Sequence, residues 1–274
     1  MLAVISFGIA VGCFAAASAR QEQRGKEQLT PLQLEIEKQR LRLSSLDIEE
    51  RREALTRLRA LHHPAASRVA IAALADQSPI VRATAAAAVL SLPAEESAGH
   101  VIPLLSDKDE FVRQQAAYAL GQTRSPTAVA GLITGLADKK DSVRGAAAVA
   151  LGEIGDAKAV SALAAILSHE PVPTSGKKSR KGKAERNPFV LRAAAHSLGE
   201  IGSRAALPAL IGVLQDEKAE DDVRREAAIA LGMIGDAAAL PILRGALTAR
   251  DPYLSQAAQE AIFKISRSQI TGGI

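Results

Sequence analysis

The chain of 274 residues contains no tryptophan, a single cysteine and only 3% aromatic residues, five Phe and two Tyr. With Cys13 alone no internal disulfide can form, so the redox compartment cannot be read from bridges. So few rings imply an interior of Ala, Leu, Ile and Val, and leave few large anchors for tight protein binding. Strong net charge is also missing: 34 Lys and Arg against 30 Asp and Glu give +4, and no aromatics interleave with the basic residues, which argues against nucleic acid as the partner. The five histidines are His62, His63, His100, His169 and His196, and no two stand at the i, i+3 or i+4 spacing that would put two metal ligands on one helical face. Adjacent His62 and His63 point apart. The residues therefore suggest no catalytic, cofactor-binding or metal-binding constellation.

What the chain does have is a period. The apolar anchor of one short motif recurs at Leu58, Val89, Leu120, Leu151, Leu198, Leu231 and Ile262, at spacings of 31, 31, 31, 47, 33 and 31 residues. A fixed period of this length is the mark of a stacked array in which each unit buries its apolar face against its neighbours. Around each anchor similar letters return, most fully in Val143 to Asp156 and Val223 to Asp236. Counted from the arginine of the motif, apolar residues fall one before it and three, four, seven and ten after it, the buried stripe of an amphipathic helix. The alanines let helix axes approach closely, and the Gly-x-Ile-Gly ending reads as a helix stop. A second apolar-periodic series (Ala159 to Ser168, Ala205 to Asp216, Ala238 to Leu247, His100 to Asp107) makes each unit a pair of antiparallel helices.

The Asp-x5-Arg spacing leading into Val-Arg-x-x-Ala-Ala-x-Ala-Leu resembles the HEAT repeat, in the short bacterial form named after phycobilisome lyases, over roughly residues 46 to 267. The resemblance implies an all-α, right-handed α-solenoid of about seven two-helix repeats. It also implies a ladder of hydrogen bonds between successive repeats, with Asp76 and Arg82, Asp107 and Arg113, and Asp138 and Arg144 keeping the six-residue spacing. Leu191 takes the arginine slot in the fifth copy, beside Arg192, and Ser255 takes it in the last, so the ladder is expected to break there. The family includes a di-iron hydroxylase that uses several His-Glu pairs, of which this chain has one, His169-Glu170. It also includes bilin lyase subunits, which supply the alternative to a scaffold reading.

Residues 1–19 carry no charged side chain and end in Ala17-Ser18-Ala19, which reads as a signal peptide cut before Arg20. Two other readings stand beside it. Arg20, Arg24 and Lys26 directly after the stretch favour an uncleaved anchor with the repeats on the cytoplasmic side, and Ala10 to Cys13 is similar to a lipoprotein processing site. An extracytoplasmic or membrane-attached location is the leading expectation. Residues 20–45 are polar, with Thr30-Pro31 as a helix start, and suit a terminal cap or a spacer. The repeats occupy 46–268 and a short tail 269–274. Within them, 169–188 holds the one large insertion, whose Lys177, Lys178, Arg180, Lys181, Lys183 and Arg186 stand among Pro, Gly and Ser and predict a basic loop at an edge of the solenoid.

The recurring residues have stacking roles, so function is sought on the inner face, at positions one, five and nine after the arginine slot. There Gln114, Tyr118, Arg192, His196 and Arg225 carry the side chains best suited to hold a protein or peptide partner. The expected function is a non-enzymatic interaction scaffold.

Overall fold

The structure, a computed structural model, describes residues 29–168 and 187–271. The N-terminal apolar stretch with Cys13, and the basic residues Lys177 to Arg186, lie outside the described residues. Fourteen α-helices and no strand occur among the described residues, and they form seven pairs. These are α1 (Pro31–Arg42) with α2 (Ile48–Ala60), α3 (Pro64–Ala70) with α4 (Pro79–Ala88), α5 (Ala94–Val101) with α6 (Glu110–Thr123), and α7 (Val129–Gly135) with α8 (Asp141–Ile154). They continue as α9 (Val160–Ser168) with α10 (Pro188–Ile201), α11 (Leu207–Gln215) with α12 (Asp221–Ile234), and α13 (Leu240–Ala246) with α14 (Pro252–Thr271). The insertion joins α9 to α10 and interrupts neither.

The even-numbered helices, which carry the Val-Arg motif, stack α2 on α4 and onward to α14, while the odd-numbered helices form the other layer. Five of the seven anchors, Val89, Leu120, Leu151, Leu198 and Leu231, are completely buried. No helix among the described residues is long and apolar enough to cross a membrane. Helix α1 begins where Thr30-Pro31 predicts: the Thr30 hydroxyl accepts from the Gln33 amide and the Gln33 side chain accepts from the Thr30 amide. Its Ile36 and Gln39 are buried, and the helix packs on α2 and α3 as the first member of the first pair.

The two glycines of Gly-x-Ile-Gly turn out to have different roles. The second, at Gly155, Gly202 and Gly235, has φ of 74°, 70° and 76° and closes the helix in the left-handed conformation. His62 and Arg124 take the same register with φ of 46° and 52°, so His62 terminates α2. His63 begins α3, its Nδ1 accepting from the Ala65 amide at 3.1 Å. The first glycine is no stop at all. A Cβ on Gly121, Gly199 or Gly232 would lie 2.8 to 2.9 Å from the Cα of Ala150, Ala230 or Ala261 in the next even-numbered helix, and one on Gly152 would meet the Ser197 side chain. Glycine facing alanine lets these helices approach closely, and the outer surface of this layer is the face expected to be concave in a solenoid of such repeats. In α14 the same register holds Phe263, which is 65% exposed.

Candidate functional site

Two networks tie the repeats together along the concave layer. In the first, the guanidinium of Arg82 donates from Nε and Nη2 to both carboxylate oxygens of Asp107 at 2.8 Å, and from Nη1 to the carbonyls of Asp76 and Gln77 at 2.8 and 3.1 Å. Arg113 repeats the pattern with Asp138 and with the carbonyl of Asp107. Arg51 repeats it with Asp76. The expected ladder is therefore built differently from the six-residue pairing: the charge partner lies 25 residues ahead, in the next repeat, and the aspartate six residues back contributes its carbonyl. A continuous superhelix places the next turn's carboxylate in line with the guanidinium fork, whereas the near aspartate points forward to cap its own turn, accepting from the Ser78, Asp109 or Lys140 amide. Burial opposes ionisation of Asp76 and Asp107, but the arginine forks and the turn amides outweigh it and hold both carboxyls below the usual range. The Arg82 and Arg113 guanidinium groups are correspondingly held more firmly charged by Asp107 and Asp138.

Among the described residues the last full rung is Arg113 with Asp138, one short of the break that Leu191 predicts. Arg144 keeps the Asp138 carbonyl at 2.9 Å, but its outer nitrogen turns to Asp141 in its own helix, and the Asn187 amide reaches the other oxygen of Asp141 across the insertion. The position 25 residues beyond Arg144 is His169, where the insertion begins. Beyond it, Leu191 leaves a cavity of about 350 Å³ lined by Leu167, Pro188, Leu191, Val213, Asp216 and Glu220. Arg224 donates to the Leu214 carbonyl at 3.4 Å, and the Ser255 hydroxyl in the last slot donates to the Leu247 carbonyl at 2.8 Å.

A second network takes over on the concave surface where the first stops. Arg192 Nη1 donates to Asp222 at 2.9 Å, His196 Nδ1 meets Glu226 at 2.7 Å, and Arg225 Nε lies 3.2 Å from Asp251 with its guanidinium 5.6 Å above the Tyr253 ring. Three of the five residues assigned to partner binding are thus engaged with the next repeat, although Arg192 and His196 stay about half exposed. Gln114 and Tyr118 lie on the same face, with the Tyr118 ring half-buried against the core. Glu153 is exposed and, among the described residues, has no cation within ion-pair distance. Partial burial and the nearby Glu200 carboxylate raise its pKa, against the pull of Arg124.

Sequence reasoning that follows the buried stripe misses a further register, two residues before the arginine slot. It holds Phe111, Phe189 and Tyr253, which are 42%, 44% and 65% exposed. The Phe189 ring covers Gly145, where any Cβ would collide with it. Aligning the seven slots and reading the column at minus two reveals these rings from sequence alone. Among the described residues no three His, Cys, Asp or Glu side chains cluster as a metal could require.

The HEAT-repeat family profile matches residues 37–120, 98–174 and 183–262. No curated protein sequence matches the chain. Among solved structures, an engineered protein is similar at 21% identity and a TM-score of 0.53, over 84% of this chain and 68% of its own. The complex of CpcE and CpcF of phycocyanin lyase from Nostoc sp. PCC7120 is similar at 24% identity and 0.49, over 87% and 95%. Human deoxyhypusine hydroxylase is similar at 19% identity and 0.41, over 85% and 96%. These likenesses concern the fold. With seven helix pairs stacked on one period and the family profile spanning most of them, the chain belongs to the HEAT-repeat family.

Proposed function

We propose that this protein is a non-enzymatic scaffold that holds a protein or peptide partner on the concave face of its solenoid, and that its N-terminal segment exports it or holds it at a membrane. One observation carries the reading. The residues that recur between repeats are taken up by stacking, in the arginine ladder, the glycine-alanine contacts and the helix stops, whereas the concave positions change character from repeat to repeat. A face that is continuous in shape but varied in side chains suits recognition of an extended surface. Proximity cross-linking in the native cell, from photo-reactive residues placed at Gln114 and Tyr118, tests it: a reproducible protein partner supports the scaffold. Bound iron or a bilin-like visible absorbance in the purified protein would overturn it in favour of an enzyme subunit. N-terminal sequencing of the mature chain tests the export reading.

A further inference from the structure

The scarcity of rings makes their placement informative. Of the five aromatic residues described, three stand in one register, on repeats 3, 5 and 7, each at the start of a concave helix and each exposed to solvent. Eleven residues further along the helices runs the opposite rim, with Glu153 on repeat 4 and Glu200 on repeat 5; at about 1.5 Å per residue the rims stand ~16 Å apart. Between them the floor is Tyr118, Val149 and Ile229, all partly buried against the core. Charge on this face is unbalanced. Arg192 and Arg225 are matched by Asp222 and Asp251, and Lys140 by Glu110 at 2.6 Å. Among the described residues, what remains is Glu153, with Arg124 near it but in no ion pair, and Glu200 and Glu226 sharing His196. The surplus is carboxylate.

We infer that this face docks an extended cationic peptide segment, with large apolar residues stacked on Phe111, Phe189 and Tyr253 and lysine or arginine reaching Glu153 and Glu200. The inference rests on the scaffold reading and specifies the partner's chemistry. Geometry also sets a spacing. Successive helices packed roughly 8–10 Å apart put rings on alternate repeats roughly 16–20 Å apart, a distance that six residues of chain at or a little short of full extension cover. Side chains of an extended chain alternate between its two sides, so residues i, i+6 and i+12 face the ring rim while i+3 faces the acidic rim opposite Glu153 on repeat 4 and i+7 faces it beside Glu200 on repeat 5. The close Gly152–Ser197 contact keeps the repeat step intact across the insertion. The raised pKa of Glu153 agrees, since a cation placed there would relieve the repulsion from Glu200.

The test uses the full chain and a fluorescein-labelled 13-residue peptide with Leu at positions 1, 7 and 13, Lys at 4 and 8, and Ser and Gly elsewhere, followed by fluorescence polarisation. Binding should weaken at least about tenfold in Phe111→Ala/Phe189→Ala/Tyr253→Ala, and several-fold with a shallower salt dependence in Glu153→Gln/Glu200→Gln. Circular dichroism should show unchanged helicity, as expected for exposed positions. Moving the Leu residues to 1, 6 and 11, or replacing Lys with Glu, should abolish binding. The inference is overturned if the triple variant binds like the parent, if the Glu peptide binds equally well, or if light scattering shows that the rings instead hold a second copy of the chain. Cross-linking separates the two readings: a cellular partner captured equally by the triple variant leaves the scaffold standing and removes this peptide chemistry, whereas no captured partner removes both.

Discussion

Arg82→Leu probes the ladder at a fully built rung. The side chains of Arg82 and Asp107 are only 8% and 13% exposed, and the substitution removes two charge-assisted bonds to Asp107 together with those to the Asp76 and Gln77 carbonyls. Asp107 would remain as a partly buried carboxylate held by the Asp109 amide alone. Stranding one member of a buried pair costs about 3–5 kcal/mol; leucine itself is accepted in this slot, as Leu191 shows, so steric strain adds little. Most of the loss comes from the stranded charge, so Arg82→Leu/Asp107→Asn is expected to recover about 1–2 kcal/mol relative to the single variant. The exposed pair is the contrast: Arg192→Ala, which breaks the Asp222 contact, should cost under about 1 kcal/mol. Urea unfolding at 0.1 and 1 M NaCl, with hydrogen exchange read separately in α4 and α6, measures both. Salt should leave the Arg82 effect in place and shrink that of Arg192. A cost for Arg82→Leu below about 1 kcal/mol, or a double variant as unstable as the single, would refute the reasoning.

Glycine substitutions should divide by register. Gly232→Ala pushes a methyl group onto the Ala261 backbone and should destabilise by about 1–3 kcal/mol, whereas Gly212→Ala in α11 meets nothing within 4 Å and should stabilise by about 0.5–1 kcal/mol, both read from urea midpoints. The lowered carboxyl pKa values of Asp76 and Asp107 contribute stability that is complete above the unfolded value of about 4 and lost as pH falls through the lower folded value. Midpoints should therefore hold between pH 7 and 5 and fall below about pH 4, less steeply in Asp107→Asn. Glu153 has the opposite sign: its raised pKa disfavours the charged form in the fold, so Glu153→Gln should stabilise at pH 7 and lose that advantage in acid, as thermal unfolding at the two pH values would show.

The period, the helix pairs and the arginine slots are legible in the sequence because each is a local pattern that a single helix must satisfy. The ladder's pairing is not, since Arg82 stands six residues from one aspartate and 25 from another, and only the superhelical rise decides that the distant carboxylate is the nearer one. The same holds for the glycines. Gly152 and Gly155 look alike as letters, but a positive φ separates the stop from the seat, and the seat exists only once the next helix arrives. At the candidate site the positions were readable and their commitments were not. Arg192, His196 and Arg225 lie on the concave face, yet each is engaged with the following repeat. Phe111, Phe189 and Tyr253 needed an alignment of slots rather than a helical stripe.

Phe263 sets the outer α14 face apart from the interfaces before it. Repeat proteins lengthen when a unit is duplicated, and a new copy settles only if both of its faces match its neighbours. A duplicate inserted among repeats 3 to 6 would bring its own glycine and alanine and find the complementary residue on either side. A duplicate docked against α14 in the same register would meet an aromatic ring where every preceding interface from Gly121 onward offers bare backbone. A helix packed on α14 in this register would therefore stand farther from it than α8, α10, α12 and α14 stand from the glycines they cover.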